Sequence, residues 1–284
     1  MTAVASDLDE LEALYNARPA RPAWYRRLWA ASWPKLVAFA LFVGAWQVLV
    51  WTGWKPEYVL PSPFTVFEAF FDDFGDLVAS ARVTMERAIV GYGIAILLGA
   101  IIGIACARVK VLRAGIGSMI TGLQTMPSVA WVPLAIVLFG LNEKAILFVV
   151  VLGAAPSIAN GIIDGIDNVP PILLRAGRVL GARGTRSLRH VVIPAAMPSV
   201  VGGLKQGWAF AWRSLMAGEL ITNFPGIAGL GQVLKNEGEL ANYVGVYEVM
   251  IMIFLIGVIV DALFFGSIVR YIRRRYGLID AAAG

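Results

Sequence analysis

Arg213 and Glu219 stand in a stretch, Val200 to Ile221, that is otherwise mostly apolar or small residues. A charge at membrane depth costs roughly 2.5–3.5 kcal/mol on insertion scales, so such a residue faces a cavity or a partner. Six positions separate the two, about 600° of rotation and hence about 120° round the helix, so they need not pair with each other. A guanidinium stays charged under all ordinary conditions and offers planar donors that match carboxylate, sulfonate or nitrate oxygens. Two roles are open to Arg213. It can bond to backbone carbonyls freed by Pro127 or Pro133, or it can attract an anion along a translocation path to which Glu219, Pro127 and Pro133 also contribute. Lys205, near the end of the same stretch, can snorkel, and Asp261 is a weaker case of the same kind. Trp208, Phe210 and Trp212 read as packing or interface residues rather than a substrate cage.

A second chemical feature is Arg175 to Pro198, a long polar segment between apolar runs. Arg175, Arg178, Arg183, Arg186 and Arg189 fall within fifteen residues. Pro170 and Pro171 suit the start of a helix. Gly181 and Gly184 permit a sharp break, Thr185 is placed to cap a second short helix, and Pro194 ends or bends that helix. The expectation is two short helices joined by a glycine elbow on a membrane surface. On charge alone, the segment could equally be a basic loop that fixes topology.

Other chemistries find no footing. No Gly-x-x-x-x-Gly-Lys-Ser/Thr occurs, and the glycines of Pro225 to Gly231 follow an apolar helix rather than a strand. His-Glu-x-x-His, Gly-x-Ser-x-Gly and cysteine clusters are missing from the sequence. Cys106 is the one cysteine, so no disulfide framework exists. His190, the one histidine, has no second histidine to share a metal. These absences exclude an evident nucleophile or metal site and predict no cofactor held by this chain.

Elements that could position such residues are written in the composition. Of 284 residues 58% are hydrophobic and 15% charged, with a mean hydropathy of +0.73. The net charge of +5 could suggest nucleic acid. The arginines are instead parcelled into loops between apolar runs, the pattern of a membrane protein. The expected spans are Leu36–Trp54, Ala88–Cys106, Ile116–Leu141, Ala145–Ile166, Val200–Ile221 and Val249–Ile268. Gly91, Gly93, Gly99 and Gly103 suit close packing of the second. Pro127 and Pro133 break the third, and Gly153 and Pro156 interrupt the fourth. Pro225 to Tyr243 reads as a re-entrant or partly exposed segment. Residues 1–33 read as a cytoplasmic tail, disordered over 1–17, with an interfacial helix over Trp24–Trp33. Residues 34–276 form the transmembrane domain and 277–284 a cytoplasmic tail. The fold class is thus all-α, a polytopic membrane protein of six transmembrane helices with a cytoplasmic two-helix loop. With the N-terminus inside, the inner segments collect most of the arginines, and both termini and the loop are cytoplasmic.

The order small-x-x-x-Gly-Ala, basic helix, then Val191-Val192-Ile193-Pro194-Ala195-Ala196-x-Pro198 resembles the EAA loop of ABC importer permeases. Ala176 and Gly177 fill the small positions, Gly181 and Ala182 the centre, and Ile193-Pro194 the hydrophobic-proline pair; Thr185, Arg186 and Arg189 lie in the basic helix. Arg175 stands where the family has an acid, which puts one loop–ATPase ion pair in doubt. Thr125-Met126-Pro127 and Pro133-Leu134 sit at the family's bend. Leu60-Pro61-Ser62-Pro63 and Ala211-Trp212 are similar to the nitrate, sulfonate and taurine branch; thiamine-precursor importers look alike at this level. The resemblance implies a multi-pass subunit of a bacterial cytoplasmic membrane, without an ATPase site of its own. It implies three protein partners: an ABC ATPase that docks on the loop and binds the ATP, an extracytoplasmic substrate-binding protein, and a second permease copy. Membrane lipid surrounds it, and nucleic acid is no partner. Two other classes compete: a membrane enzyme, which needs a polar constellation, and a secondary transporter, which needs inverted repeats and mid-depth coupling-ion carboxylates.

Overall fold

The computed structural model describes residues 24–222 and 228–276, and no strand occurs among them. Contacts divide the chain into two units, Met1–Pro63 and Phe64–Gly284.

In the first unit one helix, α1 (Trp24–Trp51), runs through Pro34 without a break. The interfacial helix and the first span expected from the sequence are therefore one element. Proline removes a single backbone bond, and the long apolar run after it keeps the helix going. The helix stops three residues earlier than expected, before Gly53, whose φ of +65° a helix cannot use. Its segment Ser32–Trp51 is long and apolar enough to cross a bilayer and exposes Phe39, Leu41, Phe42 and Val48. The indole of Trp46 donates to the carbonyl of Pro61 at 3.1 Å. The expected disordered start and the tail from 277 lie outside the described residues.

The second unit is built on α6 (Glu143–Asp167), which packs against α3 (Phe74–Arg108) and α8 (Ile193–Ile221). Small residues decide these crossings. A Cβ on Gly161 would lie 2.5 Å from the Cα of Gly203, so α6 and α8 meet backbone to backbone. A Cβ on Gly99 or Gly103 of α3 would lie 2.8 and 2.9 Å from the carbonyl oxygens of Ala155 and Ala159, whereas Gly93, expected to share that role, faces open space. Around these contacts lie Ala88, Tyr92, Ile146, Val150, Trp208 and Leu215. Tyr92 stands edge-on to Trp208 at 5.3 Å and donates its hydroxyl proton to the carbonyl of Leu204 at 2.8 Å, so the buried phenol is satisfied.

Several boundaries differ from the sequence reading. The chain between the first two expected spans is helical: α2 (Pro63–Asp72) is followed after Asp73 by α3, 35 residues long, which therefore begins well before the expected Ala88. The third region does break, as its prolines require. Here α4 (Lys110–Thr125) is followed by a 3-10 turn, Ser128–Trp131, and α5 (Val132–Phe139), and the chain bends by 107°. The fourth is not interrupted, because Pro156 is absorbed inside α6. In the loop, α7 (Pro171–Val179) is the only free-standing helix. The second expected short helix, Thr185–Ser187 and a π segment Leu188–Val192, runs straight into α8. Pro194 neither ends nor bends it, because it occupies the first turn of α8.

The expected re-entrant segment contains α9 (Leu230–Glu239); residues 223–227 lie outside the described residues. The last span is α10 (Tyr243–Ile259), a π segment Val260–Phe265 and α11 (Gly266–Arg275), continuous over 33 residues. Among the described residues four helices are long and apolar enough to cross a membrane, five if the bent pair α4–α5 is one span. The expected sixth is α8. It is 29 residues long, but Lys205, Gln206, Arg213, Ser214 and Glu219 lower its apolar character.

Candidate functional site: the elbow after α7 and the charged residues of the bundle

The elbow after α7 is held by backbone bonds. Gly181 has a φ of +80°; its N–H donates to the carbonyl of Arg178 at 3.1 Å, and the N–H of Ala182 to that of Gly177 at 2.8 Å. This paired closure ends a helix only when the residue after the cap is left-handed, the conformation glycine supplies freely. Gly177 is buried because a Cβ there would lie 2.8 Å from Val191, which seats α7 on the π segment. Gly184, with φ +54°, makes a second sharp turn and occupies the cap position expected of Thr185. Thr185 is instead the first helical residue, and its side chain caps nothing.

The elbow presents Val179 and Leu180, 87% and 85% exposed, with Arg175 and Arg178 before it in the chain and Arg183, Arg186 and Arg189 after it, all exposed. Arg175 and Ala176 lie on the outer side of α7, Ala182 is half-buried beneath the turn, and Pro194 is half-buried at the head of α8. Exposed apolar side chains flanked by guanidinium groups can meet a groove with acidic walls.

Arg213 and Glu219 have separate fates. Arg213 is exposed, with its guanidinium 5.4 Å from the ring centre of Phe210. It makes no hydrogen bond or ion pair among the described residues, so the carbonyls freed by Pro127 and Pro133 do not hold it. Gly202, Gln206, Ala209 and Arg213, at intervals of four, three and four, form one unburied face of α8. Ser214, the next residue, donates to Ser128 at 2.9 Å, which fixes the bend after Pro127 beside this face. Pro127 precedes the 3-10 turn and Pro133 sits in the first turn of α5; both are exposed. Lys205 does not simply snorkel, because its Nζ lies 3.0 Å from Asp261.

Glu219 does not line a path. It is fully buried and receives Arg87 Nη1 at 2.9 Å, the Thr84 hydroxyl at 3.0 Å and the backbone N–H of Gly231 at 3.0 Å. The Thr84 oxygen also accepts from Leu230 N at 2.8 Å, and Gln232 Oε1 from Gly229 N at 3.0 Å. The first N–H groups of α9, which helix geometry leaves unpaired, are thereby satisfied by side chains of α3, α8 and α9 itself. The negative carboxylate also sits where the dipole of α9 favours it. A Cβ on Gly229 would lie 2.4 Å from Glu219 Oε1, so the glycines tempting as a nucleotide loop make room for the chain's own carboxylate. Arg87 also reaches Glu143 at 3.3 Å. Thr84, Arg87 and Gln232 were not singled out by sequence reasoning. The one signal was the three-residue spacing of Thr84 and Arg87, which puts them on a common helix face.

Comparison with known proteins agrees with this geometry. The model of the binding-protein-dependent transport system inner membrane component matches residues 95–276. A protein of Methanocaldococcus jannaschii described as an ABC transporter permease is 31% identical over 243 residues, covering 84% of this chain and 88% of that one. A Bacillus subtilis protein described as an aliphatic sulfonates transport permease is 27% identical, with 86% of each chain covered. The nitrate import permease of Synechococcus elongatus is 28% identical, covering 68% of this chain and 73% of its own. In fold, the chain is similar to a solved structure of inward facing conformations of the MetNI methionine ABC transporter. The TM-score is 0.59 at 20% identity, over 71% of this chain and 98% of that one. With the matched region taking in α4 to α11, elbow included, the chain belongs to the family of binding-protein-dependent transport system inner membrane components.

Proposed function

We propose that this chain is the permease subunit of an ATP-driven importer for a small anion, of the aliphatic sulfonate, taurine or nitrate kind. The observation that carries the anion reading is Arg213, exposed and unpaired among the described residues, on a face of α8 that is small and polar. Relatives described as sulfonate and nitrate permeases support it. A second copy of the chain brings two such faces to one axis and gives the passage a positive field. The elbow at Gly181 receives an ATPase subunit from the cytoplasm, and a binding protein delivers the cargo from outside. Nucleotide binding moves the elbow, and hydrolysis resets it; ATP is bound and cleaved by the partner, not here.

Because cargo must leave again, Arg213 attracts rather than grips. Arg213→Gln should lower uptake of the native anion about tenfold, as expected for loss of one charge-assisted contact. Assembly with the ATPase and basal hydrolysis should stay within a factor of about two. Uptake into proteoliposomes containing permease, ATPase and binding protein measures this. Unchanged uptake of an anionic cargo removes Arg213 from the path, and collapse of assembly assigns it to folding instead.

A further inference from the structure

The strut between the elbow and the bend is α4. This helix has little apolar anchorage: Ile120 is its only fully buried residue among those described. It rests on α6 through a small cluster of Cys106, Ile120, Ala159 and Ile163. Directional contacts occur at its two ends. Near the start, Arg113 grips Asp167 with both terminal nitrogens, Nη1 donating to Oδ1 at 2.6 Å and Nη2 to Oδ2. Near the end, Gln124 donates to Ser157 at 3.1 Å and accepts from Asn160 at 3.1 Å, just before the 107° bend.

Asp167 is the last residue of α6, and only Asn168, Val169 and Pro170 separate it from α7. Two consecutive prolines make that link stiff. A push on the elbow therefore arrives first at Asp167. The bidentate pair passes it to α4 with a defined direction, and the Gln124 contacts hold the far end in register with α6. Half-exposed ion pairs add little to stability, so this one is better explained by geometry than by folding energy.

We propose that Arg113 and Asp167 are positioning residues that transmit displacement of the cytoplasmic elbow through α4 to the bend at Met126–Pro127, which borders the Arg213 face. This rests on the importer reading above. The test uses permease, ATPase and binding protein in vesicles, offered taurine, ethanesulfonate and nitrate in turn as cargo, with Arg113→Asp, Asp167→Arg and the exchange of both. Each single variant should lower cargo moved per ATP hydrolysed about tenfold, the upper part of the range for coupling mutations, with co-purification of the ATPase unchanged. The exchange should restore most of it, since a purely structural loss would not be repaired by reversed charges. An environment-sensitive dye at Val129→Cys, in a Cys106→Ala background, should shift on nucleotide binding in the wild type and the exchange but not in the singles. Normal coupling in the singles, or an exchange no better than the worse single, overturns the proposal. Absence of ATP-driven transport by the wild type in the same vesicles overturns the importer reading itself, and the strut with it.

Discussion

Glu219 and Arg213, six residues apart on one helix, illustrate how neighbours decide what a charge does. Glu219 is enclosed by a guanidinium, a hydroxyl and a helix N-terminus; Arg213 is exposed, with its guanidinium over the ring of Phe210. Breaking a buried charge pair from one side is expensive, about 3–5 kcal/mol. Glu219→Ala should therefore lower the melting temperature of the purified protein sharply and free the start of α9 for hydrogen exchange. A melt like that of the wild type would show the network to be dispensable. The helical rotation already said that Arg213 and Glu219 need not pair. It could not identify Arg87 as the partner, because Arg87 and Glu219 stand 132 positions apart in the chain and single-sequence periodicity carries no information across that distance.

At the scale of elements, the elbow shows what was legible. Pro171 at a helix start, Gly181 just past its end and the basic run after it are local signals, and the local geometry follows them. No atom stands within 4 Å of a Cβ built on Gly181, so a substitution there is opposed by the backbone conformation alone, about 1–2 kcal/mol for a non-glycine residue. Gly181→Val should insert and assemble yet lose substrate-stimulated hydrolysis, while Gly181→Asn, which tolerates this conformation, should retain most of it. Normal stimulation in the valine variant, measured with the reconstituted partners, would detach the elbow from coupling. What the sequence could not show was where short helices fuse. Pro156 and Pro194 each read as a break, yet Pro156 lies inside α6, which is packed along its length, and Pro194 lies in the first turn of α8, where its missing N–H costs little. At Pro127 the chain does turn, since Met126 and Pro127 are both extended, with ψ near 132°.

At the largest scale, α6 is the axis of the second unit and α3 and α8 pack along it, with glycine and alanine at the crossings so that shape rather than bulk holds them. The overall class was legible because hydropathy and charge segregation are sums over many residues. The number of apolar spans was less so, and α8 is the reason. Its Lys205, Arg213 and Glu219 together carry a penalty of roughly 8–10 kcal/mol if each is counted at the centre of an isolated helix. The Asp261 and Arg87 partners that offset two of them belong to α10–α11 and α3. During synthesis, then, α8 reaches the membrane after α3 but before α10, with one ion pair available and the other still to come. Its entry becomes a cooperative event, dependent on helices already waiting beside the insertion machinery. Tested alone in a glycosylation-mapping host, the segment Ile193–Ile221 should fail to lodge in most molecules. Placed behind residues 64–192 it should lodge in most, and Arg87→Ala should reduce that fraction; efficient insertion of the isolated segment would show that α8 needs no escort.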